Sequence, residues 1–297
     1  MPELVVKPRN APDSPRGRVH TIHYELSYLH QGLVNAAAPV VVLLHDFPGD
    51  ATSWQHIMPA ITKYPVLAFD MLGNGASDKP WPADVSVWGH ADALNLALRD
   101  MGVQKVILVG YGLGGGVAQV LATRLMPELT RGLVLIDSIA YNYSYNPDWP
   151  LTEMEKRQDP ELPLHFSVEQ LASELRQTVP QGSANPASIS GAALDALVQP
   201  WLSDLGKEVF FQQIRKLVPS YLNAVGADIA HISCPTLLVW GERDTIVPLK
   251  WGERLHRAIA GSQLQIVSGA GHLILNDAPD AVARIVSDFI AKQEFGS

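Results

Sequence analysis

Two residues near the end of the chain have the types and the setting for acid–base chemistry. Asp244 and His272 each follow directly after an apolar segment that is typical of a buried strand. Because open α/β sheets bind ligands at the carboxyl ends of their strands, we expect both side chains at one edge of a sheet. A carboxylate that accepts the proton of one imidazole nitrogen leaves the other nitrogen as a base near neutral pH. The alternative is that Asp244 caps its own turn and that His272 is an ordinary loop residue.

A glycine-rich turn occupies the place where a nucleophile would complete such a site. Residues 105–109 are typical of a short buried strand, and residues 113–126 carry apolar side chains at helical spacing. Between them, the sequence GYGLGG (110–115) has the outline of the strand–turn–helix motif G-x-S-x-G, which exposes a catalytic serine. Gly112 stands at the serine position, and a glycine has no atom that can attack a substrate. Either the chain uses different chemistry or its nucleophile has been removed.

The same glycines also satisfy G-x-G-x-x-G, the phosphate-binding fingerprint of dinucleotide domains. That motif needs the first strand of such a domain and an acidic residue about 20 residues further on. Here the strand lies well inside the chain, Glu128 comes too early, and Asp137 closes a later strand. The ten histidines show no H-x-x-x-H or H-x-H spacing typical of metal ligands. We therefore predict neither a cofactor nor a metal.

Several segments, in order, resemble the motifs of the α/β-hydrolase superfamily. HDFPG (45–49) resembles its oxyanion turn, H-G-x-P-G, and DMLGNGASD (70–78) resembles its D-x-x-G-x-G-x-S-D loop. WGERD (240–244) and GAGH (269–272) resemble the strand ends that present its acid and its histidine. The resemblance covers about the whole chain, and it implies the α/β-hydrolase fold with Asp244 and His272 as a catalytic pair.

The resemblance also implies an oxyanion hole, but with one departure. Its donors would be the backbone N–H groups of Phe47 and Leu113. Asp46 occupies the usual glycine position of that turn. A carboxylate there would oppose an incoming oxyanion unless it points away or is protonated. Asp46 is therefore a candidate acid–base residue, and its alternative role is structural, because Asp tolerates left-handed backbone conformations.

Four further side chains are candidates for the same pocket. Asp137 could serve as an alternative acid partner, although an Asp in such a position is more often bonded to nearby backbone. Tyr111 lies in the glycine-rich turn and is predicted to contact the substrate. Tyr141 and Trp149 could supply hydroxyl donors and apolar walls, or they could pack the following segment onto the sheet.

Strands and helices alternate along most of the chain, and this pattern predicts a mostly parallel, doubly wound sheet. Between residues 139 and 231, helical patches are separated by prolines and glycines, and no strong strand is predicted. We interpret 1–138 and 232–293 as one α/β-hydrolase core, 139–231 as an inserted helical cap, and 294–297 as a remnant of a cloning site. The predicted strands are 19–29, 40–45, 66–70, 105–110, 132–137, 236–241 and 263–268, and the predicted helices are 53–63, 84–101, 113–126, 251–260 and 278–292.

Composition narrows the function classes. The chain has 297 residues, of which 47% are hydrophobic, and this is enough to bury a full core. Its formal net charge of −8 argues against nucleic acids and anionic membranes as partners. The single cysteine, Cys234, excludes an intramolecular disulfide, and residues 1–18 are rich in proline and charge rather than apolar, unlike a signal peptide. We expect a cytoplasmic protein that binds a small organic molecule. The sequence does not indicate its oligomeric state.

Three functions fit these residues. The favoured one is an enzyme that uses a His–Asp general base without a covalent nucleophile on a small, largely apolar substrate, as a lyase, isomerase, cyclase or direct hydratase or hydrolase. In this scheme Gly112 leaves room for substrate or water. The second is a hydrolase of esters, lactones, epoxides or halides whose nucleophile at position 112 was mutated to glycine, and the third is a ligand-binding relative without activity. Because Asp46 is a second departure in the same pocket, natural divergence is favoured over a deliberate mutation.

Overall fold

A single eight-stranded sheet organises the protein in its computed structural model, which describes residues 15–32, 38–141 and 161–293. The strand order is β1-β2-β4-β3-β5-β6-β7-β8. β1 is antiparallel to β2 and β2 to β4, whereas every other neighbouring pair is parallel. The predicted α/β class is therefore confirmed. The strands are β1 (Arg16–His20), β2 (Glu25–Gln31), β3 (Val40–Leu44), β4 (Val66–Phe69), β5 (Val106–Tyr111), β6 (Thr130–Ile136), β7 (Thr236–Gly241) and β8 (Gln263–Val267).

Helices cover both faces of this sheet. Alternate side chains of each central strand point to opposite faces, so that Val42 and Val41 of β3 belong to two separate apolar clusters. One cluster includes α1, α2 and α7, and the other includes α9. The helices are α1 (Val87–Asp100), α2 (Leu113–Val120), α3 (Val168–Thr178), α4 (Gly191–Val198), α5 (Asp204–Lys216), α6 (Asn223–Asp228), α7 (Lys250–Ala258), α8 (Ile274–Asp277) and α9 (Pro279–Lys292).

Three element predictions need correction. The strand predicted at 19–29 is the β1–β2 hairpin, because the Thr21 side chain accepts hydrogen bonds from the backbone in the turn between them. The helix predicted at 53–63 is instead two short 3-10 helices, Ala51–Trp54 and Met58–Ala60, and Pro59 has no N–H for a continuous α-helix. The helix predicted at 113–126 is α-helical only to Val120, and a π-helical turn follows it.

Residues 161–231, which we call the helical segment, contain helices and turns and no strand. Two consecutive glutamines of α5 attach this segment to the loop after β4. Gln212 accepts a hydrogen bond from the Ala83 N–H (2.9 Å), and Gln213 donates to the Leu72 carbonyl (3.0 Å). The Gln213 side-chain oxygen also lies 3.2 Å from His90 Nε2. Burial lowers the pKa of His90 to about 4, so this histidine is neutral and donates to Gln213.

Replacing Gln213 tests this attachment. We expect Gln213→Ala to lower the free energy of unfolding by about 1–3 kcal/mol, because it leaves the buried His90 Nε2 without its partner and removes one of the two hydrogen bonds to the Leu72 carbonyl. Urea denaturation of the variant measures the change. Gln177→Ala is the control. Gln177 lies exposed on α3, and its side-chain amide donates a hydrogen bond to Ser173 of the same helix. Equal losses in the two variants would contradict this prediction.

Candidate active site

The turn between β5 and α2 has the tight geometry that the glycine-rich sequence predicts. Gly112 joins the strand to the helix with φ 52° and ψ −115°. Gly114 lies so close to β3 that a Cβ atom on it would be 2.2 Å from the Leu44 carbonyl oxygen. Because only a residue without a side chain permits this approach, position 114 fixes the turn beside the end of β3. The backbone at Gly112 therefore faces the loop that follows β3.

Asp244 and His272 lie together at the carboxyl ends of β7 and β8. His272 Nδ1 donates to Asp244 Oδ2 over 2.8 Å. The other carboxylate oxygen, Oδ1, accepts the backbone N–H groups of Ile246 and Val247, both at 2.8 Å. Asp244 thus caps its own turn and contacts the imidazole at the same time, so the two alternatives raised by the sequence are both met.

The loop that carries His272 is held from two sides. The Tyr111 hydroxyl donates to the His272 carbonyl oxygen over 2.7 Å. Asp277 accepts the Gly271 N–H at 2.8 Å and, from the helical segment, the Ala184 N–H at 2.9 Å. Tyr111 therefore supports the backbone of the histidine, whereas the sequence predicted a contact with substrate. Asp277 was not predicted, since a single acid at the end of a short helix carries no signal of its long-range partners.

The carboxylate of Asp46 reaches the other side of the imidazole. His272 Nε2 lies 3.0 Å from Asp46 Oδ2, and the Leu113 N–H donates to Asp46 Oδ1 over 2.6 Å. A Cβ atom on Gly112 would lie 2.0 Å from Asp46 Cγ. The carboxylate therefore fills the space that a side chain at position 112 would need. This corrects the expectation that Gly112 leaves room for substrate or water at that point.

His45 fixes the backbone that carries Asp46. The Met71 N–H donates to His45 Nε2 over 3.0 Å, so the ring proton is on Nδ1, which lies 2.8 Å from the Asp46 carbonyl oxygen. That same carbonyl accepts the Gly49 N–H at 2.9 Å. The HDFPG turn thus ties the end of β3 to the residue after Asp70 at the end of β4, and it directs the Asp46 side chain toward His272.

The charge of His272 follows from its two carboxylate neighbours. Burial alone lowers the pKa of His272, but the charge and hydrogen bond of Asp244, with the hydrogen bond and charge of Asp46, outweigh burial and raise the pKa well above its usual range. The raised pKa favours the imidazolium, which can donate from both nitrogens. Nε2, the nitrogen expected to be free as the base, contacts Asp46 Oδ2 in this structure, and the role of His272 as the base stays a prediction. We call Asp46, His272 and Asp244 the relay.

Asp46 is the accessible end of the relay. Its side chain is 16% exposed, compared with 6% for His272 and 0% for Asp244. The oxyanion donor predicted at Leu113 is occupied by Asp46. At the other predicted donor, Phe47, the ring packs 5.4 Å from Trp201 and 5.2 Å from Phe210 of the helical segment, between ring centroids. The Phe47 ring therefore packs into an aromatic cluster with Trp201 and Phe210, both of which are buried.

Tyr141 and Trp149 are the remaining predicted site residues. Tyr141 packs against α7, with its ring 6.3 Å from Trp251 and 3.9 Å from the Arg254 guanidinium. These contacts favour the packing role over the pocket role for Tyr141. Trp149 falls outside the described residues.

One group of side chains has the composition of a metal site. Single ligand atoms of Asp137, Asp244 and His272 all lie within 4.8 Å of one another. However, His272 Nδ1 and Asp244 Oδ2 are already joined by their hydrogen bond of 2.8 Å. A metal would have to break that contact and displace the imidazole proton, so the arrangement fits proton transfer better than metal binding.

Known proteins share this architecture and its motifs. A model of the family described as "alpha/beta hydrolase fold" matches residues 39–279. The 2-hydroxy-6-oxo-2,4-heptadienoate hydrolase of Pseudomonas putida is 27% identical over 88% of this chain and 92% of its own length. The 2-hydroxymuconate semialdehyde hydrolase of a Pseudomonas species is 28% identical over 87% of this chain and 89% of its own. In the crystal structure of an alpha/beta hydrolase fold protein from Burkholderia ambifaria, 97% of the chain superimposes on 92% of this one with a TM-score of 0.81 and 25% identity. Within the described part of this chain, no helix is long and apolar enough to cross a membrane.

The overlap between positions 112 and 46 can be measured as a coupling energy. We expect Gly112→Ala to lower the free energy of unfolding by about 1–3 kcal/mol, because its Cβ displaces the Asp46 carboxylate from two hydrogen bonds and the backbone is strained at positive φ. Adding Asp46→Gly should remove much of this loss, since the double variant has no overlap. Denaturant unfolding of the unmodified protein, the two single variants and the double variant completes the double-mutant cycle.

Gly102→Ala is the matched control for that cycle. Gly102 also has a positive φ, 69°, but a Cβ there would meet no atom within 4 Å. It should show backbone strain of about 1–2 kcal/mol and no coupling with Asp46→Gly. A coupling energy near zero between positions 112 and 46 would contradict the arrangement.

The pKa of His272 gives a test that needs no substrate. We expect Asp46→Asn to lower that pKa relative to the unmodified protein, because one of the two charges that stabilise the imidazolium is lost. Since the folded-state pKa is raised, the stabilisation from His272 is complete below the unfolded pKa of about 6.5 and is lost as the pH rises through the folded value. In Asp46→Asn this loss should occur at lower pH. NMR titration of the ring measures the first effect and denaturation across pH the second, and an unchanged midpoint would count against the contact.

Proposed function

Since this chain belongs to the alpha/beta hydrolase fold family, we propose that it is an enzyme that performs acid–base chemistry on a small, largely apolar organic substrate and forms no covalent intermediate at position 112. The observation that carries the proposal is the position of Asp46. Its carboxylate lies in the space of the missing side chain and is hydrogen-bonded to His272. The base is therefore the relay as a whole, with Asp46 as the group that meets the substrate.

Proton transfer begins at Asp46. A hydroxyl, an activated C–H group or a bound water gives its proton to the carboxylate, which is held in place by His272 and by the Leu113 N–H. A protonated Asp46 is a weaker acceptor than the carboxylate. The Leu113 N–H and the His272 imidazolium then become available to the negative charge that develops on the substrate oxygen. Asp244, buried and bonded to Nδ1, keeps the imidazolium oriented throughout.

The outcome depends on where the proton goes next. Returned to a different substrate atom, it completes an isomerisation or a cyclisation, and given to a leaving group it completes an elimination. When water is the proton donor, the same relay supports direct hydration or hydrolysis. Two relatives named as hydrolases of small organic molecules support a substrate of that size.

The surroundings of the relay support this substrate class and the proposed domain division. Phe47, which follows Asp46 in the chain, packs with Trp201 and Phe210, and these apolar surroundings favour a largely apolar substrate. We propose that the stretch 139–231, which includes the helical segment, acts as a cap over a core formed by 1–138 and 232–293. The composition supports a cytoplasmic location without nucleic-acid or membrane partners.

A second candidate is a hydrolase that has lost a nucleophile at position 112. The turn at Gly112, between a strand and a helix, favours it, because that geometry would expose a nucleophile. The overlap of any Cβ at this position with Asp46 Cγ counts against it. The third candidate, a ligand-binding protein without activity, would retain a pocket but would not need a charged relay.

Turnover separates the three candidates. With a panel of esters, lactones and enolisable ketones as trial substrates, we expect Asp46→Asn and His272→Ala each to lower turnover by about 10²–10⁴, because a general base is lost while ligand affinity changes only a few-fold. Gly112→Ser should also lower it, since the new side chain displaces Asp46. Steady-state kinetics and calorimetry measure the two quantities.

Asp50→Asn is the control variant. Asp50 lies in the same loop, but its carboxylate bonds to Thr52 rather than to His272, so turnover should remain near that of the unmodified protein. A large gain in ester hydrolysis by Gly112→Ser would favour the lost nucleophile, and no turnover in any variant would favour the binding protein. Transfer of ¹⁸O from labelled water into the Asp46 carboxylate during a single turnover would show a covalent ester, and so contradict the proposed mechanism.

A further inference from the structure

Asp137 brings a second buried carboxyl group to the inner end of the relay. It follows β6, between the strand that ends at Tyr111 and the strand that precedes Asp244. We propose that Asp137 is a positioning residue of the relay, a buried carboxylic acid that holds a proton beside Asp244 and becomes the counter-ion of His272 when Asp244 is neutral. The effect of Asp137 on turnover rests on the proposed function. Its effect on the pKa of His272 does not.

The geometry of Asp137 differs from that of an ordinary turn residue. Its backbone has φ 41°, and its side chain is fully buried. Oδ1 accepts the Gly241 N–H over 2.8 Å, as the backbone-bonded alternative from the sequence predicts. Oδ2, however, has no hydrogen-bond partner among the residues that the structure describes, although one carboxylate oxygen, one Asp244 oxygen and one His272 nitrogen lie within 4.8 Å of one another. The hydrogen bond from the Gly241 backbone therefore satisfies only one of the two oxygens of this carboxyl group.

Two buried carboxylates this close repel each other when both are ionised, and this repulsion favours a state in which one of them holds a proton. Asp244 has three hydrogen-bond donors, Ile246 N–H, Val247 N–H and His272 Nδ1–H, and these stabilise its charge. Asp137 has only the Gly241 N–H. The proton therefore belongs to Asp137, on Oδ2.

The other charged and titratable groups around Asp137 agree with this assignment. Burial first, and then the charge of Asp244 with a smaller contribution from Asp46, raise the pKa of Asp137 well above its usual range, against the opposing effect of His272. Tyr111, on β5, also faces these carboxyl groups, and burial first, then the charges of Asp46, Asp244 and Asp277, raise the pKa of its phenol well above the usual value. Tyr111 therefore remains a neutral phenol that donates to the His272 carbonyl. It adds no charge to the group of Asp137, Asp244 and His272.

The proton on Asp137 has a specific consequence when Asp244 loses its charge. With Asp244 neutral, the repulsion that keeps Asp137 protonated is removed, and its proton leaves to solvent. The carboxylate that forms is close enough to replace Asp244 as the partner of the His272 imidazolium after a side-chain rotation. The site thus contains a reserve acid, and the relay keeps one negative charge at its inner end in either state.

NMR titration of His272 in Asp244→Asn, with and without Asp137→Asn, tests the proposal. The ring resonance is assigned by its loss in His272→Ala. In Asp244→Asn the pKa of His272 should remain raised, and adding Asp137→Asn should lower it by about one unit or more, because the last inner charge is gone. Glu242→Gln is the control, since Glu242 is an exposed acid of the same turn that bonds to Ser268 and Gly269, and it should leave the pKa unchanged.

Turnover gives the second readout. The double variant should lose about 10⁴ in turnover, as expected when the histidine of the relay has no acid partner, and Asp244→Asn alone should retain at least about tenfold more. The activity of Asp244→Asn should also rise with pH as Asp137 ionises, and the double variant should lack that rise. Identical pKa values and identical turnover in the two variants would overturn the proposal.

One measurement avoids substitution of Asp244, whose side chain also caps its own turn. The unmodified protein at neutral pH should show the infrared band of a protonated carboxyl group, and Asp137→Asn should remove it. If the band persists in Asp137→Asn or is absent from the unmodified protein, the proposal fails. The infrared and NMR results need no turnover, so they can succeed even if the proposed enzyme activity is wrong.

Discussion

The carboxylate of Asp46 and a side chain at position 112 cannot occupy the same space, and the chemistry of the site depends on this constraint. A Cβ on Gly112 would meet Asp46 Cγ at 2.0 Å. With glycine there, the carboxylate enters the turn and takes one hydrogen bond from Leu113 and one from His272. Positions 112 and 46 are therefore coupled, because the carboxylate from the loop after β3 occupies space at the turn after β5 that a side chain at position 112 would need.

The sheet brings Asp46 close to Gly112, because its parallel strands place the residues that follow them at one edge. Asp46, Gly112, Asp137, Asp244 and His272 follow β3, β5, β6, β7 and β8, respectively, which are consecutive neighbours in the sheet. Each strand contributes one group, and adjacent strands bring those groups within reach of one another. A residue at any of these five positions can thus take over part of the task of its neighbour without a change in the fold.

Sequence patterns predicted the parts of the site that depend on strand ends. Asp244 and His272 each follow an apolar run, and their contact follows from the shared edge of the sheet. The direction of the Asp46 side chain could not be predicted, since it depends on the missing Cβ of a residue far away in the chain. The raised pKa of His272 was missed for the same reason. It depends on a second carboxylate, Asp46, which the sequence placed in the oxyanion turn without indicating the direction of its side chain. Local chemistry decided the other corrections, as at Pro59, where an α-helix was expected.

The hydrogen bonds of Asp277 connect the helical segment with the loop that carries His272. The same carboxylate holds Gly271, one residue before His272, and Ala184 in the helical segment. Leu273 N–H adds a second link, to the Gly182 carbonyl at 3.0 Å. Any displacement of residues 182–184 away from the sheet would pull on the backbone of the histidine before it affected the strands beneath. Residues 182–184 and the imidazole are therefore coupled through these hydrogen bonds, so a ligand that displaced this part of the helical segment would also shift His272.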